Sequence, residues 1–195
     1  TIASYDWSGI AGVTIPSVAN PTVDVPVGSY EVTLTVTDDD GATDVDTVTI
    51  TVNQRPSADA GADQTVTDAD DSGSESVTLD GSASADADGT IVSYNWSGIA
   101  GVRIPSVANP TIDVPVGSHV ITLTVTDDDG ATDVDTVTVT VNGPPSADAG
   151  AAQTVTDTDD SGSESVTLDG SASTDNDGTI ASYDWSGIAG VTIPS

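Results

Sequence analysis

Aspartates gathered in short, glycine-ended turns are the residues of this sequence that could do chemistry, and that chemistry is cation binding. In a calcium turn, oxygens at positions 1, 3 and 5 converge because Gly at position 6 permits a sharp bend. Asp68, Asp70, Ser72 and Gly73 have that spacing, with Asp71 among them, and Asp157, Asp159, Ser161 and Gly162, with Asp160, repeat it. Ser84, Asp86, Asp88 and Gly89 have it too, repeated as Ser173, Asp175, Asp177 and Gly178. A third cluster, Asp127, Asp128, Asp129 and Gly130 with Asp133 and Asp135, is as acidic but lacks the full spacing. None of these loops has the flanking helices or the position-12 Glu of an EF-hand. Asp-Gly turns are also ordinary hairpin chemistry. A solvated surface adapted to high salt accounts for the same acidity, so calcium and salt adaptation both fit at this level.

The charge balance narrows the partners. Asp and Glu number 32 against two basic residues, Arg55 and Arg103, and the net charge is −30. Such a chain repels nucleic acid and anionic membranes, and cations are its natural counterpart. No apolar run approaches the ~20 residues of a membrane span. Catalysis has few candidates: there is no Cys and no Lys, and the one His, His119, is replaced by Tyr30 in a preceding copy of the same segment. Paired carboxylates can hydrolyse glycosides, but that needs one acid in an apolar pocket beside a shaped cleft. These carboxylates sit in polar turns, so the chain is expected not to be an enzyme. Asn95-Trp96-Ser97 is an N-glycosylation sequon, but Asp6 and Asp184 stand at its counterparts, so it cannot serve every copy.

The elements that must position these loops are repeated. Thr1-Ile-Ala-Ser-Tyr-Asp-Trp7 returns as Thr90-Ile-Val-Ser-Tyr-Asn-Trp96 and again as Thr179-Ile-Ala-Ser-Tyr-Asp-Trp185, a period of 89 residues. Residues 1–89 and 90–178 differ at 14 positions, and 179–195 reproduce 1–17. The chain is expected to be a window on a longer array: 1–54 the C-terminal part of a unit, 55–143 a complete unit, and 144–195 the N-terminal part of a further one. Within a unit the apolar residues alternate with period two and never with period 3.6. His119, Ile121, Leu123 and Val125 share one face of a strand while Thr122, Thr124 and Thr126 share the other. Strands are predicted near 62–67, 76–80, 91–96, 111–115, 118–126 and 132–141, and 97–110 show no regular pattern. Ser165-Val-Thr-Leu-Asp169 alternates similarly.

Short half-buried strands separated by Gly, Asp and Pro turns must cover one apolar face with another, which predicts an all-β, two-sheet sandwich. With no Phe, Met or Cys its core is lean, and domains of that kind want a staple other than a disulfide. Tyr94 and Trp96 alternate on one strand face, which favours a core role over stacking on sugars.

Pro56-Ser-Ala-Asp-Ala-Gly61, Leu79-Asp-Gly-Ser-Ala-Ser-Ala-Asp-Ala-Asp-Gly89, Ile91-Val-Ser-Tyr-Asn-Trp96 and Thr122-Leu-Thr-Val-Thr-Asp-Asp-Asp-Gly130 resemble the PKD (polycystin-like) family of immunoglobulin-like domains. The usual W-D-F-G-D-G run of that family is replaced by Trp96-Ser-Gly-Ile99. The resemblance implies tandem immunoglobulin-like β-sandwiches at 89-residue spacing, used as spacer or binding modules of secreted and surface proteins. The expected location is extracellular or at the surface of a prokaryotic cell. It further implies that the 84–89 loop holds calcium together with the linker before its domain, which offers Asn53 or, one unit on, Asn142. Asp127 and Asp129 are the third-cluster candidates.

In an immunoglobulin-like sandwich the 84–89 and 127–130 loops lie where the first strand enters, and the 68–75 loop lies where the last strand leaves. Asp68, Asp70, Asp71 and Glu75 of one unit should therefore approach Asp175 and Asp177 of the next, around Asn142-Gly-Pro-Pro145. Calcium would stiffen such a joint. The expected function is a rod, stalk or fibre lengthening by roughly 35–40 Å per unit, with neighbouring repeats of the same or an adjacent chain as partners. The alternative is a carbohydrate-binding accessory repeat, with glycans as partner.

Overall fold

The computed structural model describes residues 1–187, and every regular element among them is a β-strand. Residues 188–195, the end of the expected third unit, lie outside the described residues. β1 (Ile2–Ser8), β2 (Gly28–Asp38) and β3 (Thr43–Val52) form an antiparallel sheet in that order. The remaining six strands are β4 (Gln64–Thr67), β5 (Ser74–Thr78), β6 (Ile91–Ser97), β7 (Thr111–Pro115), β8 (Gly117–Asp127) and β9 (Thr132–Asn142). They make a four-stranded sheet ordered β4-β9-β8-β6 and a two-stranded sheet β5-β7. β4 runs parallel to β9, and the other pairs are antiparallel.

The two sheets close on the alternating residues. Ile121, Leu123 and Val125 of β8 and Val137, Val139 and Val141 of β9 face Val77, Leu79, Ile112 and Val114 across the core. The inward side of β8 is apolar because its residue types alternate strictly, and one step of register would carry all of them to solvent. Trp96 is buried at 4% exposure, and its Nε1–H donates to the Val107 carbonyl at 3.0 Å. That bond drapes the irregular 98–110 segment over the core, with Ile99 buried beneath it. Trp7 makes the same contact to Val18 at 2.9 Å. The indole of the complete sandwich is thus a core group, with no free face for a sugar. Gly98 turns the chain out of β6 at φ +134°, and a Cβ there would stand 2.3 Å from the Val120 carbonyl oxygen.

Two strand ends differ from the periodicity. β5 ends at Thr78, because the Leu79 and Gly81 N–H groups leave β7 and bond the Pro110 and Ala108 carbonyls. β4 starts at Gln64, because Asp63 contributes its side chain instead of its backbone: Oδ1 accepts the Thr138 N–H at 2.7 Å. Upstream, β9 returns the arrangement, with Asp133 and Asp135 accepting the N–H groups of Ala58 and Ala60 at 2.9 and 2.8 Å. Carboxylates thereby replace a backbone ladder along 58–63. Ser165–Asp169 forms no strand, since the counterpart of β7, the partner of β5, has no place in these 195 residues.

The same substitution should therefore cost different amounts in equivalent residues. Leu79 is fully buried, whereas its counterpart Leu168 is 41% exposed. Leu79→Ala is expected to lose about 2–5 kcal/mol of unfolding free energy and Leu168→Ala about 0.5 kcal/mol or less, read from urea melts of the 195-residue chain.

Candidate metal centre

The three acidic loops, equally acidic in sequence, differ in what their carboxylates already hold. Asp68 is buried, and its oxygens accept the N–H groups of Ser72 at 3.1 Å and Gly73 at 2.7 Å, while Asp70 also accepts from Ser72 at 3.2 Å. Asp71 takes φ 56° to close the turn. Burial raises the Asp68 pKa, but the Gly73 and Ser72 donors outweigh it and leave the group below the ordinary carboxylate value. Asp157, Asp159 and Asp160 repeat this turn, with Gly162 donating to Asp157 at 2.7 Å and Asp160 at φ 54°. The 68–75 loop is thus closed by its own main chain, which supplies the donors a cation would replace.

The 127–130 turn is closed similarly and also reaches the preceding segment. Asp127 is buried, and its Oδ1 accepts the N–H groups of Asp129 at 3.1 Å and Ala131 at 2.7 Å. Its Oδ2 accepts the Asn53 amide Nδ2–H at 2.9 Å, from just beyond β3. That amide is the leading cause that holds Asp127 below the usual carboxylate range, against the opposing effect of burial. Asp129 itself is exposed at the tip.

The 84–89 loop divides its ligand candidates. Ser84, expected as a ligand, instead ties down the segment before β4: its Oγ accepts the Asp59 N–H at 3.0 Å and donates to the Asp59 carbonyl at 3.2 Å. Ser173 does the same to Asp148. Asp88 accepts the Gln54 N–H at 3.1 Å, and Asp177 accepts the Gly143 N–H at 3.3 and 3.1 Å, so at each joint the linker backbone is bound to the following loop. Asn142 at the second joint donates to the Gly143 carbonyl at 3.1 Å.

Asp86 is the exception. Both carboxylate oxygens are closed off from solvent and neither has a hydrogen-bond partner. Burial is the main cause raising its pKa, reinforced by the negative charges of Asp88, Asp127 and Asp128 and opposed by the Asp88 N–H. Asp128, which loop spacing did not single out, belongs here through strand register. A bulge between Ile91 and Ser93 sets Thr90 beside the turn after β8, where its N–H donates to Asp128 Oδ1 at 2.7 Å. Asp128 and Asp86 then converge on Gly89, where a Cβ would lie 2.3 Å from one carboxylate and 2.7 Å from the other. Only glycine fits. Among the described residues no group of three or more His, Cys, Asp or Glu side chains is gathered tightly enough to hold a metal unaided. The counterpart Asp175 accepts the Asp177 N–H at 3.4 Å.

At the second joint Asp68, Asp71 and Asp177 line one open cleft of about 530 Å³ with Asn176, Gly143 and Pro144. The 68–75 loop thus meets the 173–178 loop, whereas Asp70 and Asp175 do not line this cleft.

A buried carboxylate without donors is costly when ionised. The folded pKa of Asp86 lies above its unfolded value, so its charged form opposes folding at neutral pH and that cost disappears as pH falls through the raised value. Asp127 has the opposite sign: its stabilisation is present above the unfolded value of ~3.9 and is lost as pH falls through the lowered one. In EDTA at pH 7, Asp86→Asn is therefore expected to raise Tm. The gap from the native chain should narrow on acidification, and both proteins should lose stability below pH ~4, as thermal melts across pH would record.

The K319L-like PKD domain family matches residues 1–52 and 60–141. Among solved structures, the PKD domain from the KIAA 1837 protein is 32% identical, with 48% of this chain and 93% of that one covered at a TM-score of 0.38. The PKD1 domain of Vibrio anguillarum Epp is also 32% identical, with 48% and 100% covered at a TM-score of 0.37. No curated protein matches. PKD-type domains are non-catalytic and commonly extracellular, and among the described residues no helix is long and apolar enough to cross a membrane. The chain belongs to the K319L-like PKD domain family of immunoglobulin-like β-sandwiches.

Proposed function

We propose that this chain is a stretch of an extracellular spacer, a rod or stalk of PKD units whose joints are stiffened by Ca²⁺. The observation that carries the reading is the buried, partnerless Asp86 carboxylate, set beside a linker whose Gln54 N–H is bound to the same loop through Asp88. A carboxylate in that position wants a cation, and the groups around it offer only oxygen: Asp86, Asp88, Asp128, the Asn53 amide and main-chain carbonyls. Such a donor set suits a hard ion of flexible coordination, with water completing the shell. The ion would neutralise the repulsion that Asp88, Asp127 and Asp128 impose on Asp86. Because Asn53 and Gln54 belong to the linker, the same neutralisation would fix the direction in which one unit follows the last.

The chain's own residues would then do mechanical work and no catalysis. The Asn53–Asp127 bond and the Gln54–Asp88 bond tie the linker to two loops of the following unit, and Pro56 restricts the linker beyond them. Partners in this reading are neighbouring repeats.

Calcium at about 10 mM, up to hundredfold over the Kd of weak extracellular modules, should stabilise the native chain by up to about 2.7 kcal/mol. The same addition should leave Asp86→Asn unchanged. Thermal melts and titration calorimetry with EDTA or Ca²⁺ measure this, and small-angle scattering of the same samples should show a narrower range of end-to-end distances with the ion. Unchanged melting and no heat of binding would remove calcium from the joint, while an extended form in both conditions would keep the spacer.

A further inference from the structure

The acidity of this protein is not spread evenly. Along β4, β9, β8 and β6, residues alternate between the core and the outside, and none of the outward positions is charged. Asp133 and Asp135 of β9 turn to the other side, where they bind the Ala58 and Ala60 N–H groups. The outer face is built from threonine, serine, valine and asparagine. Val120, Val134 and Val92 are 59%, 54% and 61% exposed there. Register makes the patch continuous: Thr124 of β8 lies between Asn95 of β6 and Val134 of β9, and Thr122 lies opposite Thr136.

The preceding copy shows that neutrality is a choice of sequence and not a requirement of the strand. Asn95 and Val120 replace Asp6 and Glu31, both exposed at the same places on β1 and β2. The opposite sheet of the complete sandwich carries the exposed Asp113. In a protein of net charge −30, two copies approaching by any acidic face meet like charge, and this neutral face is where that penalty is absent. A glycan would want an aromatic platform, and Trp96 and Tyr94 point to the core instead.

We propose that the outer face of the β4-β9-β8-β6 sheet is a lateral docking surface for a second copy of this chain, sheet against sheet. Four strands of this length present roughly 600 Å², short of the ~800 Å² per partner of a standard stable interface. One face therefore gives a weak, transient contact, at the low end of interface size. The contact belongs to units that carry neutral residues at both places, as the complete one does and the preceding copy does not. The contact uses none of the groups proposed to hold calcium, so it is independent of that reading.

The test is sedimentation equilibrium of the 195-residue chain in EDTA at low and ~1 M NaCl, where screening falls within ~3 Å, beside the Asn95→Asp/Val120→Glu double variant. Both acids occupy equivalent strand positions in the preceding copy, and circular dichroism checks that the variant is folded. Self-association that strengthens with salt and weakens at least about tenfold in the variant supports the proposal. A native chain that stays monomeric at ~1 mM, association that salt weakens, or association equal in the variant would overturn it. So would retention of the monomeric chain on insoluble cellulose that the variant loses, which would assign the face to a polysaccharide.

Discussion

Between Ala58 and Asp63 the chain runs beside β9 without a backbone ladder, and the bonds that hold it there are main-chain N–H groups given to carboxylates. Ala58 donates to Asp133, Ala60 to Asp135 and, in the reverse direction, Thr138 to Asp63. The same bond type closes the turns at Asp68 and Asp127 and attaches the linker at Asp88 and Asp177. A charge-assisted bond of this kind is stronger than a neutral one. In a sandwich whose core is made almost entirely of Val, Ile and Leu, it fixes the loops and joints that apolar burial does not reach. Much of the acidity is thus structural, with Asp133 held below the ordinary carboxylate pKa first by the Ala58 donor and only lastly by the Arg55 charge.

Asp86 stands out against this pattern because no donor comes within full hydrogen-bond geometry, the nearby Asp88 N–H only partly offsetting its burial. Its neighbours each hold one: Asp127 has Asn53 and Ala131, Asp128 has Thr90, and Asp88 has Gln54. The unmet demand for donors is concentrated on a single carboxylate at the seam between the linker and two loops. That concentration makes one cation enough, in the proposed reading, to change the mechanics of the joint. The counterpart Asp175 lies in a segment without the following turn, and this explains why its oxygens are not sealed in the same way.

The neutral outer sheet is the complement of the acidic ends. Charge at the tips of each unit keeps neighbours aligned only when countered, whereas the uncharged flank imposes no such condition. In the proposed readings, longitudinal and lateral contacts would respond to different ionic conditions: divalent cation at the joints, bulk salt at the flank. The two proposals therefore divide the surface between them without sharing a residue.

Alternation in the sequence alone determined the strands and their inward faces, because a period of two assigns each residue of β8 and β9 to core or solvent without reference to any partner. It likewise identified Trp96 as a core residue and located the three acidic loops. What tertiary structure decided is which oxygens remain free. Asp68, Asp86 and Asp127 all stand in acidic, glycine-ended turns, and Ser84 looks like a ligand. Asp68 is met by donors of its own turn, whereas the Asp127 and Ser84 side chains are engaged by groups from 74 and 25 positions away, and a bulge in β6 brings Asp128 to Gly89. Spacing along the chain cannot encode a donor delivered by another strand, so the turns were legible in sequence and the buried Asp86 oxygens left without a partner were not.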